Sequence, residues 1–357
     1  MKRIEIFIKN IFLRILIFIN PVKKQNELPD FNAKSNLLFI RLNRIGDALV
    51  TTPLLWEIKR QLGCRIVVLA DKKNHFIFNN NPSIDKLVIF NKSLNDFLNF
   101  NKFLQEESID AIIDLHDDIS TTVSFLLAIA KVKFKFGLSK ANYTLYSHTV
   151  EKLDPKSNHV IDRIMNLLSI FNLQADKKNI SVRYFPTEVE QQIAADQLAN
   201  FNPDNKFLLG INISAGSDAR FWGVQKFKDL ISSLSEYEIK IIVLSSKKDL
   251  HYAKQITTEN NIYPVTDSFG IFASAVLQLN FLITPDTSVV HIASMKKIPV
   301  FGLYVKYKTE DMIWKPYNTD FDCVETEEPT LENISLNEVK NKLIPFLEKH
   351  LDAKRDS

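Results

Sequence analysis

Apolar and polar positions follow two different periods along most of the chain. From Asn36 onward, short runs rich in Ile, Val, Leu and Phe predict buried strands, and longer amphipathic segments predict helices. The predicted strands of the first half are Leu37–Arg41, Arg65–Ala70, Leu87–Phe90, Ile109–Leu115 and Val132–Phe136, with helices near 48–62, 93–107, 119–130 and 158–172. Strand and helix in alternation predict a parallel sheet that is covered on both faces.

A polar stretch from Gln174 to Asn205, with one expected helix at 187–200, leads into a second α/β half. Its predicted strands are Phe207–Ile213, Lys240–Ser245, Asn261–Val265, Phe281–Thr284 and Pro299–Tyr304, and an amphipathic helix follows at 331–351. We therefore divide the chain into an N-terminal helical segment (1–30), a first α/β domain (31–175), a linker region (176–205), a second α/β domain (206–330) and a C-terminal helix and tail (331–357).

The first twenty residues have the pattern of an amphipathic helix. The apolar face holds Ile4, Ile8, Ile11, Ile15, Phe18 and Ile19, and Lys2, Arg3, Lys9 and Arg14 lie on or near the other face. The longest uncharged run, Ile15–Val22, is too short to span a bilayer. Such a helix either lies in the interface of an anionic membrane or packs on the protein body, and we expect membrane association.

Composition narrows the function classes. The 357 residues are 45% hydrophobic and 24% charged, with a net charge of +3, which excludes extensive disorder and gives no reason to propose nucleic-acid binding. The two cysteines, Cys64 and Cys323, lie in no paired motif, so we expect neither a disulfide framework nor a thiolate zinc site. The chain contains no G-x-G-x-x-G or Walker sequence, which argues against a nicotinamide-dependent oxidoreductase.

Three loops that each follow a predicted strand carry candidate chemistry, and the first of them is Arg41–Pro53. The loop opens a helix, where Gly46 would permit a tight turn and Asp47 would lie near the helix N-terminus. A carboxylate at such a position acts either as a helix N-cap or as a general base that withdraws a hydroxyl proton.

The second loop, Gly210–Gly223, follows the first strand of the second half. Ser214, Ser217 and the backbone N–H groups around Gly216 can cradle a diphosphate, and Arg220 can neutralise its charge. An ordinary surface loop with a solvated arginine is the equal alternative.

The third loop, Thr284–His291, opens another helix. Asp286 and Thr287 suit helix capping, and the helix N-terminus also offers N–H groups to phosphate. His291, about one turn into the helix, is on its own more typical of a packing residue than of a catalyst.

In this order and at this separation, the three loops resemble the ADP-heptose:lipopolysaccharide heptosyltransferase family, over the range from about Leu37 to Tyr317. The family's first motif reads like R-x-x-x-x-G-D-x-x-x-T-x-P, which Arg41–Pro53 matches in full. Ser214–Trp222 is similar to the family's glycine-containing loop, and Asp286–His291 and Lys297–Val300 are similar to its D-T-x-x-x-H and K-x-P-V segments.

The resemblance implies a GT-B fold, in which two Rossmann-like domains have parallel sheets facing a central cleft. It implies inverting transfer of heptose from ADP-heptose to the lipopolysaccharide core, with no obligatory metal and no cofactor, by a cytoplasmic enzyme peripheral on the inner face of the inner membrane. Asp47 would be the catalytic base. The donor-binding residues would be Ser214, Gly216, Ser217, Arg220, Asp249, Asp286, Thr287, Ser288 and His291, and the acceptor-binding residues Arg41, Arg44, Gly46 and His116.

Three places depart from the family pattern. Ser288 replaces a glycine, Leu303–Lys308 replaces a G-P-T-like turn, and Ser245–Asp249 keeps only the acid of a loop that often holds paired glycines. These departures leave two alternatives open: a transferase that uses another nucleotide sugar, and a non-catalytic relative that binds glycolipid. The run Asp114–Asp118 should line the acceptor side of the cleft, and for Asp117 and Asp118 a solvated strand end is at least an equal alternative.

Overall fold

The computed structural model describes residues 11, 14, 15, 17–25 and 27–355, and contacts between Cα atoms divide the chain into two compact units, Met1–Ile180 and Ser181–Ser357. The boundary falls inside the 176–205 stretch. A helix at Glu188–Phe201 belongs to the second unit.

In the described part of the first unit, strands β1 to β6 form one parallel sheet in the order β3-β2-β1-β4-β5-β6. The strands are Asn36–Ile40, Arg65–Asp71, Lys86–Phe90, Ala111–Asp114, Phe134–Leu138 and His148–Val150. The helices α1 to α5 are Ile45–Leu49, Thr52–Leu62, Leu94–Glu106, Thr121–Ile129 and Val160–Met165. The sheet is buried on both faces: Leu38 and Ile40 of β1 belong to the core cluster that includes Leu104 of α3 and Leu126 of α4, and Phe39 is fully buried as well.

In the second unit, strands β7 to β11 form a parallel sheet in the order β11-β10-β9-β7-β8. The strands are Phe207–Asn212, Ile239–Leu244, Phe281–Pro285, Val300–Val305 and Phe321–Thr326. The helices α6 to α11 are Glu188–Phe201, Val224–Ser233, Leu250–Ile256, Phe269–Val276, Val289–Met295 and Leu336–Arg355. Trp222 is fully buried in the core, and its Nε1 donates to Ile334 O at 2.9 Å, so the largest core side chain has its polar atom satisfied.

Side-chain caps set where several helices begin. At α3, Ser93 Oγ accepts from Asp96 N at 3.2 Å while Asp96 Oδ2 accepts from Ser93 N, and Thr187 and Glu190 form the same reciprocal capping box at α6. Because each cap satisfies two N–H groups without intrahelical partners, it stabilises the helix start by about 1 kcal/mol.

The sheets differ from the sequence prediction in three strands. The predicted strand at Asn261–Val265 is wrong, because this stretch makes only a single bridge, from Ile262 to Val243. Two edge strands were not predicted: β6 has three residues, and β11 mixes polar with apolar residues without a regular period, so neither has the continuous apolar run of a central strand.

The predicted helix over residues 1–20 lies partly outside the described residues. Of its residues, 11, 14, 15 and 17–20 are described; all of these are helical except Asn20, which lies just beyond the helix. Among the helices of the described residues, none combines the length and the apolar character needed to cross a membrane.

Candidate active site

The predicted site residues gather where each sheet changes its direction of winding. In the first unit this switch point lies between β1 and β4, and in the second unit it lies between β7 and β9. Arg41 directly follows β1 and Asp114 ends β4, while Asn212 ends β7 and Pro285 ends β9. Ligands of open parallel sheets bind at the carboxyl ends of the strands at such a point, so each unit has its own candidate binding position there.

Asp47 and Arg41 form an ion pair in the first unit. Arg41 Nη2 donates to Asp47 Oδ1, and Arg41 Nη1 donates to Leu115 O at 2.8 Å. Arg41 is 1% exposed, whereas 23% of the Asp47 side chain is open to solvent. Burial lowers the pKa of Arg41, the charge of Asp47 opposes that shift, and a guanidinium stays protonated in proteins. A fixed cation therefore holds the carboxylate on one side and leaves another side accessible.

Asp47 is not a helix N-cap. The N-cap position of α1 is Arg44, which makes no side-chain cap hydrogen bond and is exposed, and Asp47 lies inside the first helical turn. Gly46 also lies inside this helix, so the predicted tight turn at Gly46 is wrong. The left-handed residue of the loop is Asn43, with φ 76°, whose N–H donates to Asp71 Oδ2 at 3.1 Å.

A buried group of four side chains, the Asp114 cluster (Asp114, His116, Lys140 and Tyr146), lies beneath this loop. Asp114 accepts from Lys140 Nζ at 2.8 Å, Tyr146 OH at 2.7 Å and His116 Nδ1 at 2.6 Å. Burial raises the pKa of Asp114, but the charge of Lys140 and the proton of His116 outweigh it and hold the pKa well below its usual range.

His116 connects this cluster to the loop Arg41–Pro53. Its Nε2 accepts from the N–H of Leu42 at 3.3 Å, so its Nδ1 carries the hydrogen that Asp114 accepts, and burial lowers the pKa of His116 in agreement with a neutral ring. Both ring nitrogens are engaged inside the unit. The predicted contact of His116 with an acceptor stays a prediction, and its observed contacts support the backbone next to Arg41.

The acidic residues beyond His116 have opposite environments. Asp117 accepts from Arg163 Nε at 3.2 Å and from Arg163 Nη2 at 2.9 Å, and Arg163 is 2% exposed. The side chain of Asp118 is 97% exposed. The solvated interpretation is therefore correct for Asp118 and wrong for Asp117, which joins the loop after β4 to helix α5 by a two-point ion pair.

In the second unit, Asn212 joins the loops that follow β7 and β9. Its Nδ2 donates to Ser214 O at 3.1 Å, to Thr284 Oγ1 at 2.9 Å and to Thr287 Oγ1 at 3.4 Å. Sequence reasoning missed Asn212. The available signal was a polar residue that ends an otherwise apolar strand.

Arg220 pairs with Asp286 and lies on the same loop as three backbone N–H groups. Arg220 Nη1 donates to Asp286 O at 2.9 Å, and its Nη2 lies 3.1 Å from Asp286 Oδ2, with 39% and 25% of the two side chains exposed. The N–H groups of Ala215, Gly216 and Ser217 make no hydrogen bond to any residue that the structure describes. A positive charge with adjacent backbone donors suits a diphosphate.

The loop after β8 lies next to the same donors. Ser246 N donates to Ser214 Oγ and Ser246 Oγ donates to Asp249 Oδ2, both at 2.8 Å. Asp249, for which the family resemblance implies a donor-binding role, is buried, and that role stays a prediction. The predicted residues Ser288 and His291 follow on the next loop and helix α10.

His291 and Tyr304 are two buried residues of the second unit. His291 is buried, with its ring centroid 6.1 Å from that of Trp314. The run Leu303–Lys308, where the sequence departs from the family turn, continues strand β10 as far as Val305. Tyr304 in this strand is buried against the ring of Phe321. The run that replaces the family turn therefore places an aromatic side chain in the protein interior.

Comparison with known proteins identifies the family. The model of "Glycosyltransferase family 9 (heptosyltransferase)" matches residues 97–343, well over half of the chain. The chain belongs to glycosyltransferase family 9. It is accordingly a glycosyltransferase, and the family expectation from the three loops is confirmed.

The chain is similar to curated and solved members of this family. It is 22% identical over 297 residues to the lipopolysaccharide core heptosyltransferase OpsX of Haemophilus influenzae, covering 80% of this chain and 83% of that one. The family 9 glycosyltransferase from Veillonella parvula has a TM-score of 0.74 at 19% identity, over 90% of this chain and 99% of its own. E. coli heptosyltransferase WaaC with ADP-2-deoxy-2-fluoro heptose has a TM-score of 0.66 at 16% identity, over 88% and 99%. The GT-B type of fold is thereby confirmed.

Proposed function

We propose that this glycosyltransferase moves heptose from ADP-heptose to the core of lipopolysaccharide, with inversion at the anomeric carbon. Two findings support the substrates: OpsX is named for heptose transfer to the lipopolysaccharide core, and WaaC has been solved with an ADP-heptose analogue. The observation that carries the mechanism is the Asp47 carboxylate, held by buried Arg41 and still partly open to solvent at the switch point of its sheet.

Asp47 would act as the general base on the acceptor. As the acceptor oxygen attacks the anomeric carbon, Asp47 takes the hydroxyl proton, the new C–O bond forms, and the bond from the sugar to ADP breaks. The Arg41 ion pair contributes by fixing the carboxylate direction, which lowers the entropy cost of reaching the reactive geometry. Arg44, exposed at the start of α1, would meet acidic groups of the acceptor.

The second unit would bind the donor and stabilise the departing ADP. Arg220 and the N–H groups of Ala215, Gly216 and Ser217 would meet the diphosphate, whose negative charge grows as the bond to the sugar breaks. Asp249 would accept from the ribose hydroxyls. Independence from metal ions, which the family resemblance implies, stays part of this proposal.

Replacement of Asp47 by Asn tests the mechanism. We expect Asp47→Asn to lower ADP release from ADP-heptose, measured with heptose-free core lipopolysaccharide as acceptor, by at least about a hundredfold. Binding of ADP, followed as a rise in melting temperature, should be retained, because the donor residues lie in the other unit. Asp118→Asn is the matched control, since it removes an exposed carboxylate from the same unit. Undiminished transfer by purified Asp47→Asn protein would refute the proposal.

The same melting assay separates the alternatives. A rise in melting temperature with ADP and ADP-heptose, absent with UDP- and GDP-sugars, supports the proposed donor. A rise with another nucleotide sugar assigns a different donor to the same fold. Absence of any rise favours a glycolipid-binding relative, and Ser288 and Tyr304 are then the first positions to restore toward the family pattern.

A further inference from the structure

An exposed apolar stripe runs along the N-terminal helix. We call Ile11, Ile15, Phe18 and Ile19 the N-terminal stripe; these side chains are 43%, 48%, 88% and 70% exposed. At about 100° per residue, the four positions fall within an arc of about 100°. Contiguous apolar surface of this kind marks a face that associates with another surface.

The protein body holds this helix by its opposite side. Ile17 packs against the core of the first unit, Asn20 Nδ2 donates to Ala128 O at 2.6 Å, and Lys24 Nζ donates to Tyr146 O at 3.0 Å. On a helical wheel, Ile17 lies opposite the N-terminal stripe, and Asn20 directly follows the helix. In the described residues it is therefore Ile17, and not the N-terminal stripe, that packs on the body, and the stripe is turned outward.

Charge indicates what covers the stripe. Residues 1–24 contain six Lys or Arg and one Glu, a net charge of +5, whereas the whole chain carries +3, so the remaining residues carry −2. Arg14 is exposed on the helix itself, and Lys131 and Lys133, both exposed, follow closely after Ala128. Apolar residues bordered by basic ones suit the headgroup region of an anionic membrane. The same charge opposes pairing of two copies through this segment, because it would bring two +5 segments together.

We propose that the N-terminal stripe docks the protein on the surface of an anionic phospholipid bilayer, with Phe18 and Ile19 inserted among the lipid chains. The helix lies on the surface, with Ile17 still packed on the first unit. This docking goes beyond the proposed transfer and does not depend on it. If the acceptor is a membrane glycolipid, docking confines the enzyme to the surface that displays it.

Vesicle sedimentation with the full chain tests the proposal. Protein is mixed with vesicles of phosphatidylcholine alone or of phosphatidylcholine with phosphatidylglycerol, and the sedimenting fraction is measured. We expect marked preference for the anionic vesicles, weakened by added salt, and at least about tenfold weaker binding for Phe18→Glu. Val189→Glu is the matched control, because it makes the same change at an apolar residue of α6 that is 67% exposed, and it should sediment as the unchanged protein does.

Three results would overturn the docking proposal. These are equal sedimentation with both kinds of vesicle, equal sedimentation of the Phe18→Glu and Val189→Glu proteins, and a dimer in vesicle-free buffer that Phe18→Glu abolishes, since a second copy would then cover the stripe. Transfer to a water-soluble acceptor fragment separates this proposal from the enzymatic one. Phe18→Glu should leave that activity unchanged. If the proposed function is wrong, the unchanged protein shows no transfer to the fragment but still binds the vesicles.

Discussion

Lys140→Met removes the ammonium group that neutralises the most deeply buried carboxylate of the first unit's candidate site. The side chains of Lys140 and Asp114 are 3% and 1% exposed, and their Nζ–Oδ2 distance is 2.8 Å. Removing one partner of a buried ion pair typically costs about 3–5 kcal/mol, because the other charge is left uncompensated. Asp114 keeps the hydrogen bonds from His116 and Tyr146 and can also take up a proton, so we expect the low end, about 3 kcal/mol.

Hydrogen exchange measured by peptide is the suitable assay. The chain has two compact units, so a single denaturation curve does not report on one two-state transition. Peptides that cover β1 and β4 should lose about a hundredfold in protection, which corresponds to about 3 kcal/mol, and peptides that cover β7 and β9 should not change. Because His116 supports the backbone at Leu42, next to Arg41, transfer activity should fall as well.

A double-mutant cycle decides whether the cost arises from the unpaired charge. Lys140→Met combined with Asp114→Asn removes both charges, and we expect the double variant to be more stable than the sum of the two single losses allows. If the losses are simply additive, the two side chains are not energetically coupled. The account of the Asp114 cluster as an electrostatic support would then be wrong.

Three further predictions follow from individual contacts. Arg220→Ala should weaken ADP binding by about tenfold or more, and Arg220→Lys should weaken it less, because lysine keeps the charge but not the two-point geometry toward Asp286. Titration calorimetry measures the affinity of both variants for ADP. Affinities equal to that of the unchanged protein would contradict the donor-side proposal. Gly137→Ala places a Cβ 2.5 Å from the Tyr146 ring, which must shift away from Asp114, so exchange in the first unit should show a loss of about 1–3 kcal/mol. Folding lowers the pKa of Asp114, so the stabilisation from its carboxylate is present above about pH 4 and is lost as the pH falls through the pKa of the folded state. The first unit should therefore lose hydrogen-exchange protection over that acid range.

The elements that could be predicted from sequence are those whose signal is local. Strands β1, β2, β7 and β9 are buried on both faces, so their continuous apolar runs predict them directly. The site loops were found for a similar reason: a polar or glycine-containing segment after each run must lie at the carboxyl edge of the sheet. Edge strands β6 and β11 lack this signal, because a three-residue strand and a strand of mixed polar and apolar residues are compatible with several structures.

The partners of the site residues could not be predicted, because tertiary structure brings them together. Asp114 and Lys140 are 26 positions apart, and Asp117 and Arg163 are 46 positions apart. Arg41 shows the consequence most clearly. The motif contains this residue, and its charge suggested contact with an acceptor, yet its guanidinium is buried and bonded to Asp47 and Leu115. A sequence motif therefore identifies which side chains belong to the site, but burial and geometry decide whether a charge meets the substrate or holds the group that does.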